Sequence, residues 1–384
     1  MRALERQPWR VLLSATAAVA ALATSGCDAS DDEATTAAEA PIASSDSIEL
    51  YFIAGEQFAK VEREVPAAGD ELERAARALL AGPIAADSSA RFDAKTQIPA
   101  EVELEQVAVD SDGTATVRLS AGFTQGIPTD PAARSAREDM DLSARLGQVT
   151  YTLTEFDEVE AVEVVSGGET VVRPSKRGEP ALERADYAKP ARGPEHKLRP
   201  RGPKSAGTRV IQKRLARLRY LPRSAVDGIE GYRTQQAVIA FQSWRGLARD
   251  GIVGPATSAA LARASRPKPK GDGPARRIEV HREKGVALLV EAGKVKRAIH
   301  VSTGAPRTET PAGTYTVFRK ELQSWSVPFR TWLPYASYFN QGIAFHEYPD
   351  VPTFPASHGC VRVPAPEAKG VYEFATVGTA VVVI

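Results

Sequence analysis

The fold and the chemistry of this chain are decided by Ala356-Ser357-His358-Gly359-Cys360-Val361-Arg362, together with His346 upstream in Ile343-Ala344-Phe345-His346. The chain has 384 residues but only two cysteines, Cys27 and Cys360, and five histidines. A thiol near an imidazole is the minimal equipment for nucleophilic acyl transfer, because the ring takes the thiol proton and later returns it. A free cysteine has a pKa near ~8.5 and is mostly protonated at neutral pH, so such a base matters. We therefore predict an acyl-transfer site at Cys360.

The residues around Cys360 each have an expected part in this site. Gly359 lets the backbone turn sharply and present N–H groups to a developing oxyanion. We expect His358 to have a structural or oxyanion-side role, and Ser357 to fix the tautomer of a ring through a hydrogen bond. Arg362 is expected either to hold a substrate carboxylate through its guanidinium fork or to form a structural salt bridge.

This motif resembles that of a known family. Ser-His-Gly-Cys-hydrophobic-Arg, with a histidine shortly upstream, is similar to the signature of YkuD-type L,D-transpeptidases, which are bacterial cell-wall enzymes. The resemblance covers residues 276–384, where apolar alternation predicts strands at 278–280, 286–290, 295–301 and 380–384. It implies a mainly-β catalytic domain, built as an L,D-transpeptidase-like β-sandwich, with Cys360 as the nucleophile and His346 as the general base.

The resemblance also implies a reaction in two steps that needs no cofactor. The thiolate attacks the carbonyl between the L-centre of a diamino acid and the following D-alanine in a peptidoglycan stem tetrapeptide, and D-alanine leaves. The side-chain amine of a neighbouring stem then resolves the thioester and forms a 3–3 cross-link. Water as the acceptor would make the enzyme an L,D-carboxypeptidase, and the residues leave this choice open.

Three other interpretations concern the same residues. Tyr338 is expected to wall the cleft with its neighbours Tyr335 and Phe339, although ordinary core is the alternative for at least one of them. A wall-binding structural lipoprotein with an inactive catalytic domain is a second reading of the whole chain. A zinc site from His346, His358 and Cys360 is a third, but their spacing matches no zinc pattern, so no metal is predicted.

Residues 48–172 are expected to form one α+β domain. Residues 48–53 alternate like a half-buried strand, and residues 70–80 carry a helical apolar stripe that ends at Gly82-Pro83. The order of elements resembles the GerMN domain of sporulation and germination proteins, which supplies no catalytic residues. The residues that carry this resemblance are Tyr51-Phe52, Leu79-Leu80-Ala81-Gly82-Pro83, Ile98-Pro99 and Val149-Thr150-Tyr151-Thr152-Leu153. A scaffold or binding role is therefore expected here.

Residues 208–264 contain an internal repeat. Asp227-Gly228-Ile229-Glu230-Gly231-Tyr232-Arg233-Thr234 recurs as Asp250-Gly251-Ile252-Val253-Gly254-Pro255-Ala256-Thr257. In each copy Asp-Gly predicts a turn, and the second glycine, Gly231 or Gly254, is placed at a helix N-cap. An earlier helix would carry Val210, Ile211, Leu215 and Leu218. The resulting small all-α three-helix bundle resembles peptidoglycan-binding domains, which implies attachment to the cell wall; the alternative is that the repeat serves only folding.

Two segments rich in proline and basic residues, 173–207 and 265–275, are interpreted as linkers. Residues 28–169 contain 30 acidic and 10 basic side chains, whereas residues 173–384 contain 36 basic and 17 acidic ones. This asymmetry favours either attraction to an anionic wall polymer or simply a solvated basic surface. A nucleic-acid partner is not expected, because no aromatic residues interleave the linker charges and the chain has an export signal.

The N-terminus is typical of an exported protein. Arg2, Arg6 and Arg10 precede an apolar run at 11–23, which is short for a membrane span and is followed by small residues and Cys27. Residues 1–27 are therefore interpreted as a signal peptide with a lipobox, and residues 28–47 as a flexible spacer. Lipidation of Cys27 would anchor the protein to the membrane in the cell envelope; an ordinary secretory signal is the alternative. The oligomeric state is left open.

Overall fold

The computed structural model describes residues 45–89, 93–173, 180–191, 202, 204–270 and 273–384, which belong to one structural unit. The expected signal peptide, Cys27 and all but the end of the spacer lie outside these residues. In the described ranges, no helix has both the length and the apolar character needed to cross a membrane. The multidomain fold class is confirmed: an α+β domain, a three-helix bundle and a β-rich domain follow one another.

The N-terminal domain pairs a long hairpin with two helices and a small sheet. Its elements are β1 (Ser45–Ala54), β2 (Gln57–Pro66), α1 (Glu71–Leu80), β3 (Leu104–Val109), β4 (Thr114–Leu119), α2 (Ala136–Leu153), β5 (Ala161–Ser166) and β6 (Glu169–Thr170). Strands β1 and β2 pair antiparallel, and the other four strands form a sheet in the order β3-β4-β5-β6. Both helices pack on β1, so one apolar core joins the hairpin, the helices and the sheet.

Local sequence explains where the helices of this domain begin and end. The Asp70 carboxylate accepts the Glu73 backbone N–H and caps α1, and Gly82 follows the helix with φ of +77°. Ser135 and Glu138 form a reciprocal capping box that starts α2. The apolar stripe predicted for α1 is confirmed, because Leu72, Ala75, Ala76 and Leu79 are all buried.

Part of the segment interpreted as a basic linker belongs instead to the N-terminal domain. Leu182 is buried and exchanges backbone hydrogen bonds with Val162 on β5. Tyr187 is also buried, and its hydroxyl donates to the Ser143 carbonyl on α2. The linker prediction was wrong for residues 182–187, because two apolar anchors among the charges give this stretch enough burial to order it.

The three-helix bundle consists of α3 (Ala206–Leu218), α4 (Tyr232–Arg245) and α5 (Pro255–Arg263). As predicted, Gly231 and Gly254 are the N-caps of α4 and α5. The stripe expected on α3 is only partly correct, because Val210 is 68% exposed whereas Leu215 and Leu218 are buried.

The internal repeat is held together by two equivalent buried glutamines. The Gln212 side chain bonds to Asp227, Ile229 and Thr234, and it accepts the Gly228 backbone N–H. The Gln242 side chain makes the same four contacts in the second copy, with Asp250, Gly251, Ile252 and Thr257. The repeat therefore has a clear folding role, because each glutamine satisfies the polar groups of one Asp-Gly turn.

The C-terminal domain is a sandwich of two sheets. Its strands are β7 (Arg276–His281), β8 (Val286–Glu291), β9 (Lys294–His300), β10 (Gly313–Thr316), β11 (Arg319–Ser326), β12 (Thr331–Asn340), β13 (Ile343–Tyr348), β14 (Val361–Pro364) and β15 (Ala380–Val383), with helix α6 (Ala365–Phe374). One sheet has the order β10-β15-β7-β8-β9 and the other β11-β12-β13-β14. The main core of the domain contains buried residues from both sheets and α6.

The bundle packs against this domain as part of a shared core. Val286, Leu288 and Val290 on β8 join Val295 and Ala298 on β9 in one buried apolar cluster with the helices. Leu215 and Phe241, both fully buried, are among the helix residues of the cluster. The two domains are thus continuous in the apolar interior.

Candidate active site

Two neighbouring parallel strands bring the motif residues together. β13 carries His346, and β14 begins directly after Cys360, with His346 opposite Arg362 in the register. The Cys360 sulfur lies 3.4 Å from the Ala344 backbone nitrogen, which donates to it. Cys360 is 6% exposed and His346 is 4% exposed, so both groups are sheltered from bulk water.

The turn before Cys360 is fixed by hydrogen bonds between two side-chain hydroxyls and the backbone. Gly359 has φ of +121°, which favours glycine, and its carbonyl accepts the Thr310 hydroxyl at 2.7 Å. The Ser357 hydroxyl donates to the Cys360 carbonyl at 2.5 Å and accepts the Gly359 N–H at 3.1 Å. The sequence predicts that Ser357 bonds to an imidazole ring. The structure shows instead that Ser357 holds the turn, because its hydroxyl folds back onto residues 359 and 360.

The His346 ring is buried and held in one tautomer. Its Nδ1 lies 2.8 Å from the Glu347 carbonyl, which can only accept, so the proton is on Nδ1 and Nε2 keeps its lone pair. Burial, together with the nearby Arg362 charge, lowers the pKa of His346 to about 4, although the hydrogen bond to the Glu347 carbonyl opposes the shift. The ring is therefore neutral at pH 7 and able to take a proton.

The His358 ring is held by the N-terminal domain. Its Nε2 lies 2.5 Å from the Asp141 carboxylate on α2, and its face stacks on Phe329 with the ring centroids 4.2 Å apart. Burial lowers the pKa of His358, and the Asp141 carboxylate partly opposes this shift. His358 is thus anchored by a carboxylate that lies 217 positions away in the sequence.

Arg362 is placed to meet an anion. Its guanidinium stacks on the Tyr348 ring at 4.0 Å from the centroid, and its Nε is buried without a hydrogen-bond partner. Among the residues that the structure describes, Arg362 forms no ion pair. The carboxylate-binding role of Arg362 stays a prediction.

Tyr338 has a different place from the one expected. It is fully buried in a small cluster with Cys360, Ala344 and Leu333, and its hydroxyl lies 2.8 Å from the Ser324 hydroxyl. It does not line the cavity at Cys360. The structure thus places Tyr338 in the core behind the sulfur, because its ring packs on apolar neighbours instead of facing the opening.

A residue that the sequence did not single out lies directly on the sulfur. Glu56, in the turn between β1 and β2, is 6% exposed, and its Oε1 lies 3.2 Å from the Cys360 sulfur. Burial raises the pKa of Glu56. Burial, and then the Glu56 charge, raise the pKa of the Cys360 thiol. In this arrangement the thiol is protonated and donates to Glu56 rather than to the His346 ring.

These residues line a small, partly open cavity of ≈ 30 Å³. Its lining residues are Glu56, Met140, Phe329, Thr331, Trp332, Leu333, His346, Tyr348, Ser357, His358, Cys360 and Arg362. A volume of this size holds about one water molecule. The proposed nucleophile and base therefore share a cavity that two residues of the N-terminal domain help to close.

Comparison with protein families divides the chain into three matched regions. The YkuD family, described as the L,D-transpeptidase catalytic domain, matches residues 275–383. The Germane family, described as sporulation and spore germination, matches residues 49–172, and a peptidoglycan binding domain family matches residues 204–261. The L,D-transpeptidase of Xylanimonas cellulosilytica, a solved structure, is 33% identical over 50% of this chain and all of its own, with a TM-score of 0.43. This chain contains an L,D-transpeptidase catalytic domain of the YkuD family.

Other L,D-transpeptidases of known structure are similar to this one at lower identity. The enzyme from Stackebrandtia nassauensis is 25% identical over 51% of this chain and 97% of its own, with a TM-score of 0.33. An L,D-transpeptidase from Mycobacterium tuberculosis is 24% identical over 29% of this chain and 58% of its own, with a TM-score of 0.27. No curated protein matches the sequence.

The motif residues around Cys360 thus lie in the region that matches the L,D-transpeptidase catalytic domain. The region before it matches a peptidoglycan-binding family. Such domains act on the cell wall, outside the cytoplasm. In the described ranges, no group of three or more His, Cys, Asp or Glu side chains is arranged to hold a metal ion.

Proposed function

We propose that this L,D-transpeptidase uses Cys360 as a nucleophile on peptidoglycan stem peptides, releases D-alanine and forms 3–3 cross-links. The observation that carries the proposal is the shared cavity of Cys360 and His346, in which the base is neutral and its Nε2 keeps a lone pair. A thiol and a neutral imidazole facing one space are what acyl transfer requires.

In the first step His346 Nε2 takes the Cys360 proton, and the thiolate attacks the carbonyl between the diamino acid and D-alanine. The C–N bond breaks, and D-alanine leaves with the proton that His346 returns, so a thioester remains. In the second step the amine of another stem attacks the thioester and gives its proton to His346. The new amide forms, the sulfur leaves, and His346 returns the proton to it.

Two further residues have parts in this proposal. Arg362 binds a carboxylate of the stem peptide, since its buried Nε has no partner within the described residues. Gly359 and Ser357 hold the turn that presents Cys360; the Gly359 N–H already donates to Ser357, so this amide would serve an oxyanion only after the turn adjusts.

Attachment and location complete the proposal. The bundle holds the enzyme on peptidoglycan, and residues 1–27 export the chain and supply Cys27 as a lipid anchor. Mass measurement of the membrane-extracted protein tests the anchor: a diacylglycerol-modified Cys27 at the new N-terminus supports it, and a cleaved, unmodified protein contradicts it.

To test the activity, the purified full chain is incubated with a defined muropeptide tetrapeptide, and the products are identified by mass spectrometry. We expect D-alanine and 3–3 dimers from the wild type and neither from Cys360→Ala, whereas the control Cys27→Ser retains both products. Tripeptide monomers without dimers would identify water as the acceptor. Activity that survives Cys360→Ala would overturn the proposal.

A further inference from the structure

The turn between β1 and β2 docks directly onto the catalytic domain. Gly55 lies so close to Gly342, in the turn between β12 and β13, that a Cβ on Gly55 would be 2.1 Å from the Gly342 Cα. On the other side, the Glu56 carbonyl accepts the Val327 backbone N–H at 3.0 Å. The hairpin tip is thus fitted between two turns of the catalytic domain, with no room for even one added methyl group.

This docking places a carboxyl group where a substrate carbonyl must come. The Oε1 of Glu56 lies 3.2 Å from the Cys360 sulfur, and its Oε2 is buried without a hydrogen-bond partner. The space that remains beside the sulfur is ≈ 30 Å³, about one water molecule. A stem peptide is much larger than this space, so the Glu56 carboxyl group must move before a substrate carbonyl can reach Cys360.

Helix α2 forms a second contact on the nucleophile turn. The Arg137 guanidinium donates to the Ala356 carbonyl at 2.6 Å, and Asp141 accepts from His358 at 2.5 Å. Both contacts join the N-terminal domain to residues immediately before Cys360. Two separate elements of this domain therefore converge on the same few residues of the catalytic domain.

We propose that the β1–β2 hairpin is an intramolecular substrate mimic, in which the Glu56 carboxyl closes the catalytic site until the N-terminal domain is displaced. The carboxyl group accepts a hydrogen bond from the thiol and fills the space beside the sulfur that the carbonyl carbon of a stem peptide must reach. Because it has no leaving group that the thiol can expel, it occupies the site without reacting. This inference rests on the proposed function, in which Cys360 is the nucleophile.

The first test measures how fast iodoacetamide, a small neutral reagent, alkylates Cys360 in the full chain, with the modified peptide quantified by mass. Gly55→Ala places a methyl group against Gly342 and should force the hairpin away. Gly69→Ala is the matched control, because Gly69 also has a positive φ in the N-terminal domain but has nothing within 4 Å. We expect alkylation to be at least tenfold faster in Gly55→Ala than in wild type, and unchanged within twofold in Gly69→Ala.

A second variant keeps the test decisive if Gly55→Ala does not fold. Glu56→Ala removes the carboxyl group and leaves the backbone, so both alkylation and D-alanine release from tetrapeptide should increase severalfold. Unchanged alkylation in the folded variants would overturn the mimic. A fall in D-alanine release by Glu56→Ala would also overturn it, because that result would make Glu56 a contributor to catalysis.

The two proposals fail in different ways. Faster alkylation of Gly55→Ala without D-alanine release from any variant would support the closed site and contradict the proposed transpeptidation. D-alanine release from wild type at the rate of Glu56→Ala would support the reaction and contradict closure.

Discussion

The catalytic domain has two neighbours in this chain, and it meets them in opposite ways. The bundle shares a buried apolar cluster with β8 and β9, in which Leu288 and Val290 are fully buried. The N-terminal domain instead contacts the active site through the polar side chains of Glu56, Arg137 and Asp141. A smaller apolar group around Phe329 accompanies these contacts.

The difference indicates which interface is permanent. Separating the bundle would expose a contiguous apolar core, which is costly in water. Parting the N-terminal domain from the active site would expose only the smaller apolar group around Phe329, exchange several hydrogen bonds for bonds to water, and release a buried carboxyl group with one unsatisfied oxygen. The contact between the bundle and the catalytic domain therefore behaves as the interior of one folded body. The contact between the N-terminal domain and the active site behaves as a cover that can open.

The largest expected effect is a loss of stability from a substitution in the interface between the bundle and the catalytic domain. Leu288→Ala should lower the free energy of unfolding by about 2–5 kcal/mol, because it leaves a cavity in a closely packed core. Urea denaturation measures this, and Cys360 alkylation in the folded protein should not change. Leu322→Ala is the control, since Leu322 is largely exposed on β11. If Leu288→Ala lowers the free energy of unfolding by less than about 1 kcal/mol, the bundle interface is not the permanent one of the two.

The next effect is a pH dependence of the closure. Burial raises the pKa of Glu56 in the closed state, while Ser326, the Cys360 thiol and then the Arg319 charge oppose the shift; Tyr338 is the other titratable group nearby. The open state exposes Glu56, so its pKa returns to near ~4.3. The contribution of Glu56 to closure is therefore fully present below that value and is lost as the pH rises through the raised pKa.

Hydrogen exchange of the Val327 amide, which donates to the Glu56 carbonyl, reports this opening. After correction for intrinsic exchange, opening in wild type should increase with pH by up to about tenfold per unit, the limit for one proton. Glu56→Gln should remove this dependence. The same pH profile in both proteins would exclude Glu56 as its origin.

A smaller effect is expected from the contact between Asp141 on α2 and His358. Asp141→Asn replaces a charged acceptor for His358 with a neutral one, at a cost of about 1.4 kcal/mol, and Cys360 alkylation should accelerate about tenfold. Asp157→Asn, an exposed aspartate of the same domain, should have no effect. If the two variants are alkylated equally fast, the contact between Asp141 and His358 does not hold the closure.

The smallest effect belongs to Arg137, whose side chain is 37% exposed. Arg137→Ala removes one hydrogen bond to the Ala356 carbonyl, worth about 0.5 kcal/mol after allowance for solvent, and should speed alkylation about twofold. Arg77→Ala provides the comparison, because Arg77 forms a surface pair with Glu73 on α1. A change of tenfold or more would move the main closing contact from Glu56 to Arg137.

Sequence patterns predicted the three-domain fold class and the family correctly because those signals are local. The caps of α1, α4 and α5 and the repeated Asp-Gly turns lie within a few residues of the elements they shape. The motif around Cys360 is equally compact. The roles assigned to its residues stay predictions, although the turn conformation at Gly359 agrees with the glycine there.

What the sequence did not reveal depends on contacts between distant segments. Glu56 lies 304 positions from Cys360, and neither its neighbours nor its charge indicated burial. The anchoring of residues 182–187 by Leu182 and Tyr187 was hidden by the surrounding charges. Gln212 and Gln242 were also missed, because Gln212 precedes Asp227 by 15 positions whereas Gln242 precedes Asp250 by 8, so the two copies align at the glutamines only across a gap.

The covering of Cys360 by Glu56 also bears on how long the thiol survives in its reduced form. Outside the cytoplasm, oxidants convert cysteine thiolates first to sulfenic acid and then irreversibly to higher acids. A sulfur that is 6% exposed, with its pKa raised by burial, presents little thiolate to them. While the hairpin tip covers Cys360, the thiol is therefore shielded from this oxidation.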